Sequence, residues 1–124
     1  MSEPAHHAMS AWIEREFAIS GVLAAGGGVS NGPVFSAYAS GELILAHNPK
    51  VWSCIAETIA QLAAKEVPVG ELLWGFEEAL LCTVQREDGA WLGVFTVARL
   101  NDESALALRM KLDAFRQQQF SDAN

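Results

Sequence analysis

Three side chains with metal-binding atoms lie within a short part of the sequence. They are His47, Cys54 and Glu57, and their spacings of seven and three residues match no recognised zinc motif. Cys54 also falls in a predicted helix among apolar residues, where a thiol usually packs as a small hydrophobe. We therefore predict no metal site and no bound cofactor.

Residues that could take part in catalysis occur without the partners that catalysis requires. Cys54 and Cys82 both have apolar neighbours rather than the exposed, electropositive setting that activates a thiolate. The acidic pairs at residues 77–78 and 87–88 fall in predicted turns, where solvated carboxylates are commoner than catalytic pairs. No serine lies in a G-x-S-x-G motif. The sequence predicts no catalytic residue and a protein that is not an enzyme.

Charge and composition exclude several classes of ligand. The chain has 15 acidic and 8 basic residues, a net charge of −7, and no cluster of Lys and Arg, so nucleic acid and anionic membranes are poor partners. No G-x-x-x-x-G-K-[ST] motif is present, and no helix directly follows Gly26–Gly28, which predicts a loop there rather than a phosphate site. No apolar run is long enough for membrane insertion. Two unpaired cysteines and the lack of a secretory leader predict a cytoplasmic protein.

Secondary structure positions whatever residues bind a partner or ligand. The central predicted element is a helix over residues 48–67. Asn48 suits its N-cap and Pro49 its first position. Its apolar residues form two surfaces, and a helix that faces water on one side needs only one. The second surface therefore predicts a second neighbour, such as another copy of the chain, although good helix propensity alone is an alternative explanation for alanines. The bulky surface contains Trp52, Ile55, Ile59 and Leu62, and the small one contains Ala56, Ala60, Ala63 and Ala64.

The remaining pattern predicts two more helices and five strands. One-sided amphipathic spacing predicts a helix over residues 5–17, and Asn101 begins a final helix on which Ala105, Leu108, Leu112 and Phe115 face one way. Asp88-Gly89 predicts a type I′ hairpin turn. The strand at residues 91–98 is apolar on both faces, which is typical of the middle of a sheet covered on both sides. The other predicted strands are residues 19–25, 33–39, 71–76 and 79–86. Residues 40–47 fit an edge strand, a helical turn or a loop.

These elements follow the order helix, two strands, helix, three strands, helix. The predicted fold class is α+β, with three α/β/α layers around a five-stranded, mostly antiparallel sheet. The length fits one domain, 1–124, with an ordered core over residues 4–118 and a frayed tail at 119–124.

The layout resembles the Roadblock/LC7 family, whose fold is profilin-like, from Ala8 to about Gln118. The resemblance rests on GVLAAGG at residues 21–27, IAETIAQLAAKE at 55–66, and the strands ALLCTV and WLGVFTVA joined at Asp88-Gly89. The final segment LALRMKLDAF at 106–115 completes it. Two segments depart from the family pattern, namely the glycine-rich residues 26–33 and the insertion at 40–47.

The resemblance implies a homodimer in which the central helices pack antiparallel and the strand at residues 71–76 pairs with its twin. Family members regulate or scaffold Ras-like small GTPases, or serve as dynein light chains, so a small GTPase is the implied partner. The alternative is a small-molecule sensor domain, PAS-like or profilin-like, with a pocket among Trp74, Trp91 and residues 26–33. The implied dimer interface contains Ser53, Ala56, Glu57, Ala60, Ala63, Ala64, Leu72 and Trp74.

Overall fold

The computed structural model describes residues 3–29, 32, 34–40, 48–65, 71–75, 79–86 and 88–117. Within them, a five-stranded sheet has the order β2-β1-β5-β4-β3, and every neighbouring pair is antiparallel. The predicted α+β class is confirmed, whereas the segments at residues 41–47 and 118–124 lie outside the described residues. The helices are α1 (Glu3–Glu16), α2 (Pro49–Ala64) and α3 (Asp102–Gln117), and the strands are β1 (Val22–Val29), β2 (Val34–Ala39), β3 (Glu71–Gly75), β4 (Leu80–Gln85) and β5 (Ala90–Thr96).

The helices cover the two faces of the sheet unequally. Helices α1 and α3 share one apolar core with one face of the sheet, and α2 forms a separate core with the other face. Large buried side chains from the helices anchor each core and remove apolar surface from water. The first core contains Met9, Trp12, Ile13, Phe17, Leu108, Leu112 and Phe115, and the second contains Trp52, Ile55 and Ile59.

The middle strand of the sheet is β5, as its two-sided apolar pattern predicts. All seven of its residues are buried. Trp91 and Phe95 join the core beneath α2, while Leu92 and Val94 join the core beneath α1 and α3. The strand therefore contributes to both cores through the alternation of its side chains.

The glycines of β1 lie inside the strand, so the prediction of a strand ending at residue 25 and a glycine loop after it was wrong. Gly26 pairs with Gly93 of β5, and the Trp52 ring lies against both. A Cβ atom at Gly26 or Gly93 would lie 3.0 or 3.2 Å from Trp52 Cζ3, and one at Gly27 would lie 2.9 Å from Met9 Cε. A Cβ atom would also lie 2.4 Å from Phe35 O at Gly26 and 2.3 Å from Trp91 O at Gly27, so the neighbouring backbones together with these side chains leave no room for one at Gly26 and Gly27.

A β-bulge interrupts the start of β1. Val22 pairs with Thr96 of β5 and Ala24 pairs with Phe95, which leaves Leu23 as an extra residue. Leu23 and Ala24 consequently both join the core beneath α2, whereas Val22 and Ala25 join the opposite core. The bulge changes the phase of the side chains relative to a regular strand.

The hairpin between β4 and β5 forms where Asp88-Gly89 predicts it, but with a different turn. Gly89 N–H donates to Arg86 O at 3.1 Å, and Arg86 N–H donates to Ala90 O at 2.8 Å. Ala90 N–H donates instead to the Asp88 side chain, Oδ1, at 3.0 Å. With φ of 90° at Gly89, this pattern fits a longer loop with a glycine bulge, and the type I′ prediction was wrong.

The N-terminus of α3 is capped as predicted, and its buried face also includes Ser104. Ser104 N–H donates to Asn101 Oδ1 at 2.7 Å. Leu108, Leu112 and Phe115 of the predicted face are buried together with Ser104, and Ala105 is exposed but lines the same groove as Leu108 and Leu112.

Replacing Asn101 with alanine is expected to lower the free energy of unfolding by about 1 kcal/mol, because Ser104 N–H loses its acceptor. Urea denaturation measures the change. Asn101→Asp, which retains a cap acceptor, is the control and should stay close to wild type. Equal losses in both variants would contradict a capping role.

An ion pair joins the end of α1 to α3. Lys111 Nζ lies 2.7 Å from Glu16 Oε2, and this hydrogen bond and charge lower the pKa of Glu16 below its ordinary value of 4.5. A carboxyl group whose pKa is lower in the folded state stabilises the fold above its unfolded pKa. That contribution is lost as the pH falls through the lowered folded-state value.

Glu16→Gln should therefore destabilise the protein at pH 7 by about 0.2–1 kcal/mol, the usual range for a solvent-accessible pair. The difference from wild type should disappear as the pH falls below the folded-state pKa of Glu16. Urea denaturation across a pH series measures this, with exposed Glu14→Gln as the matched control. A difference that persists unchanged in acid would contradict the ion-pair explanation.

Candidate dimer surface on the central helix

Helix α2 is held on the sheet by its bulky side. Asn48 caps it as predicted, since Lys50 N–H donates to Asn48 Oδ1 at 3.0 Å. Trp52, Ile55 and Ile59 are each less than 5% exposed, and the Trp52 and Phe95 rings meet edge to face at 5.4 Å between centroids. These contacts fix which side of α2 faces away from the sheet.

The outward side of α2 contains most of the predicted interface. Ser53, Glu57, Ala60 and Ala64 are exposed, and Ala56 is half-buried. The four exposed residues follow a four-three-four spacing, which is the spacing of the contact seam between two packed helices. The described part of the chain does not cover this seam. The side chain of Ala63 lies outside the described residues.

An open groove of about 250 Å³ runs beside this seam, between α2 and the neighbouring ends of β1 and β2. Small side chains on α2 leave the space, and Trp91 lies at the bottom of it with only 1% of its surface exposed. Glu57 supplies a carboxylate at the groove. The lining residues are Val29, Gly32, Val34, Ser53, Ala56, Glu57, Ile59, Ala60 and Trp91.

The two other predicted interface residues, Leu72 and Trp74, belong to β3. This strand forms one end of the sheet in the part of the chain that the structure describes. Leu72 pairs with Thr83 and Trp74 with Leu81, and both of these β4 partners are buried. The side chains of β3 lie outside the described residues, so only its backbone enters the description of the surface.

The candidate chemical residues do not form a site among the residues that the structure describes. Cys54 is exposed, so the prediction that it is buried was wrong, whereas Cys82 is buried. No group of three or more His, Cys, Asp and Glu side chains within the described segments could hold a metal ion. His47 and the pair at residues 77–78 lie outside those segments, and Asp88 is paired with Arg86 at 2.8 Å.

Sequence reasoning missed Arg86, which joins the hairpin to the end of α3. Its guanidinium donates to Phe115 O at 3.1 Å, lies 5.4 Å from the centroid of the Phe115 ring, and pairs with Asp88. Sequence reasoning also missed a groove along α3, which is described below. Neither feature has a sequence signal, because each depends on residues that are distant along the chain.

Comparison with known proteins does not assign a family. No protein-family model matches the chain, and no curated protein matches it. Among the helices in the described residues, none combines the length and apolar character needed to span a bilayer. A functional proposal therefore depends on the exposed side of α2 and on the arrangement of the elements.

Proposed function

We propose that the protein is a non-enzymatic homodimeric interaction module of the Roadblock/LC7 type. The observation that carries the proposal is the exposed seam of α2, in which the small residues Ser53, Ala60 and Ala64 lie with Glu57 beside an apolar groove. Small side chains allow two helix backbones to approach closely, and packing against a second copy removes this surface from water.

The arrangement of the sheet supports the same dimer. In a two-fold assembly the same surface of both copies meets, so α2 packs antiparallel against its twin. Strand β3 has an outer edge in the described part of the sheet, and pairing it with the twin's β3 satisfies backbone groups that otherwise promote aggregation. The proposed sheet is then continuous through both copies.

The proposed partner of this dimer is a Ras-like small GTPase in the cytoplasm, for which the dimer serves as a regulator or scaffold. This part rests on resemblance in the order of elements. The experiment is affinity capture from the source cell with the wild-type protein as bait, scored for a GTPase. Capture of a GTPase supports the assignment if the amount captured changes when the lysate contains excess GDP or excess GTP. The absence of a GTPase from the captured proteins counts against it.

Oligomeric state tests the dimer separately from its partner. Sedimentation velocity across a micromolar concentration series should give twice the mass of the 13.4 kDa chain. A single species of one-chain mass at all concentrations would refute the dimer, whatever the capture experiment gives.

The groove at Trp91 favours one alternative, a small-molecule sensor domain. The groove partly coincides with the pocket predicted near residues 26–33, and Trp91 at its bottom would report an occupant. At about 250 Å³ it lies at the small end of ligand sites. A sensor should show tryptophan fluorescence that changes with ligand. It should also release the ligand on dimerisation, because the groove and the proposed dimer seam use the same side of α2.

A further inference from the structure

A second groove, which the proposed dimer does not use, lies between α3 and the sheet. It encloses about 550 Å³ and is open to solvent on one side. Its wall on α3 is formed by Ala105, Leu108, Arg109 and Leu112, and Cys82 and Thr96 lie at its buried base. The remaining lining residues are Leu80, Val97, Ala98, Arg99 and Leu100. We name this surface the α3 groove.

The charge of the α3 groove differs from that of the whole chain. Among its described lining residues, the charged ones are Arg99 and Arg109; both are exposed, and Arg109 also lies 3.9 Å from Asp113 of its own helix in a solvent-exposed pair. They are two of only eight basic residues in a chain with a net charge of −7. An apolar groove with arginines at its border is complementary to a partner that combines apolar and acidic groups.

The shape of the groove selects among such partners. The α3 wall extends from Ala105 to Leu112, which is about two helical turns or roughly 10 Å. An amphipathic helix uses anchors at i, i+3, i+4 and i+7 over the same length. Because the groove is open along one side, it would leave much of a small ligand in water, whereas typical small-molecule sites bury most of the ligand.

We propose that the α3 groove binds an acidic amphipathic helix of a partner protein. Apolar side chains of that helix fill the space between α3 and β4, and carboxylates on its flank meet Arg99 and Arg109. The inference is independent of the proposed dimer, because α3 and α2 belong to the cores on opposite faces of the sheet.

The experiment uses fluorescein-labelled helical peptides of about 14 residues, with leucines at i, i+3, i+4 and i+7. One peptide has glutamates beside the leucines, and its counterpart has lysines at the same positions. Anisotropy titrations with the full-length chain should show binding of the acidic peptide, weakening with salt, and at least about tenfold weaker binding of the basic one.

The double variant Arg99→Glu/Arg109→Glu should lower the affinity for the acidic peptide by about tenfold or more, because two attractive charge contacts become repulsive. The double variant Arg15→Glu/Lys50→Glu has the same change of net charge away from the groove and should bind like wild type. Ala60→Glu, which targets the dimer, should also bind like wild type.

Three outcomes would overturn the proposal. The first is equal affinity for the acidic and the basic peptide. The second is an equal loss of affinity in both double variants. The third is a peptide that oleate micelles displace and whose affinity does not change when Arg99 and Arg109 are replaced. Circular dichroism verifies that each variant is folded, and the substituted arginines are exposed, so folding should be retained.

Discussion

Ala60→Glu is expected to convert the dimer into a monomer. In the proposed antiparallel packing, the new carboxylate enters the seam where small side chains meet, close to the Glu57 carboxylate of the same helix. Burying an unpaired charge in such a contact costs about 3 kcal/mol or more, which corresponds to a weakening of dimerisation of at least about a hundredfold. Sedimentation velocity at a concentration where the wild type is dimeric measures the change.

The matched control is Ala11→Glu, which introduces the same charge at an exposed alanine within α1. It should leave the sedimentation coefficient unchanged. Because Ala60 is exposed in the single chain, Ala60→Glu should retain the thermal stability of the monomer fold. A variant that still sediments as a dimer would show that the copies meet through another surface.

Trp52→Ala is expected to produce the largest loss of stability, about 3–5 kcal/mol. Trp52 is 2% exposed, meets the Phe95 ring, and lies against the glycine pair Gly26 and Gly93 of two neighbouring strands. Removing the indole leaves a cavity that glycines cannot fill. Urea denaturation measures the loss, and Trp52→Phe should lose less because part of the ring contact remains.

A double-mutant cycle tests whether the glycines exist to accommodate Trp52. In the wild type, Gly93→Ala places a methyl group 3.2 Å from Trp52 Cζ3 and should destabilise the protein. In the Trp52→Phe background the same substitution should cost less, because the contact with Cζ3 is relieved. If Trp52→Ala does not fold, this cycle still measures the coupling. Strictly additive effects would contradict a shared space.

The elements that follow from local pattern are those that the sequence predicts well. Helix α2 lies within the predicted residues 48–67 because its apolar spacing and Asn48 cap are both local signals. Strand β5 is central because its two apolar faces each require a cover. The exposure of Cys54 could have been predicted from helical geometry, although its apolar sequence neighbours indicated burial. Two residues place it roughly 200° around the helix from Trp52, on the exposed side.

Features that depend on distant side chains could not be predicted. The glycines of β1 have a loop-like composition, and the close approach of the Phe35 and Trp91 carbonyls and of the Trp52 and Met9 side chains explains why a strand needs glycine there. The α3 groove likewise combines α3 with the ends of β4 and β5. The exposed side of α2, in contrast, follows from its own periodicity, so most of the candidate interface could be chosen before the fold was known.

The bulge in β1 determines how the chain should respond to changes in length. Leu23 is the extra residue relative to β5, and Ala37 is the extra residue of β2 relative to β1. Deleting Leu23 would remove the extra residue and leave Val22 and Ala24 alternating regularly on their present faces. Deleting Ala25 instead would reverse the faces of every residue on one side of the deletion relative to β5, as a frameshift does in a reading frame. A one-residue deletion beside the bulge should therefore be far more harmful than deletion of the bulged residue itself.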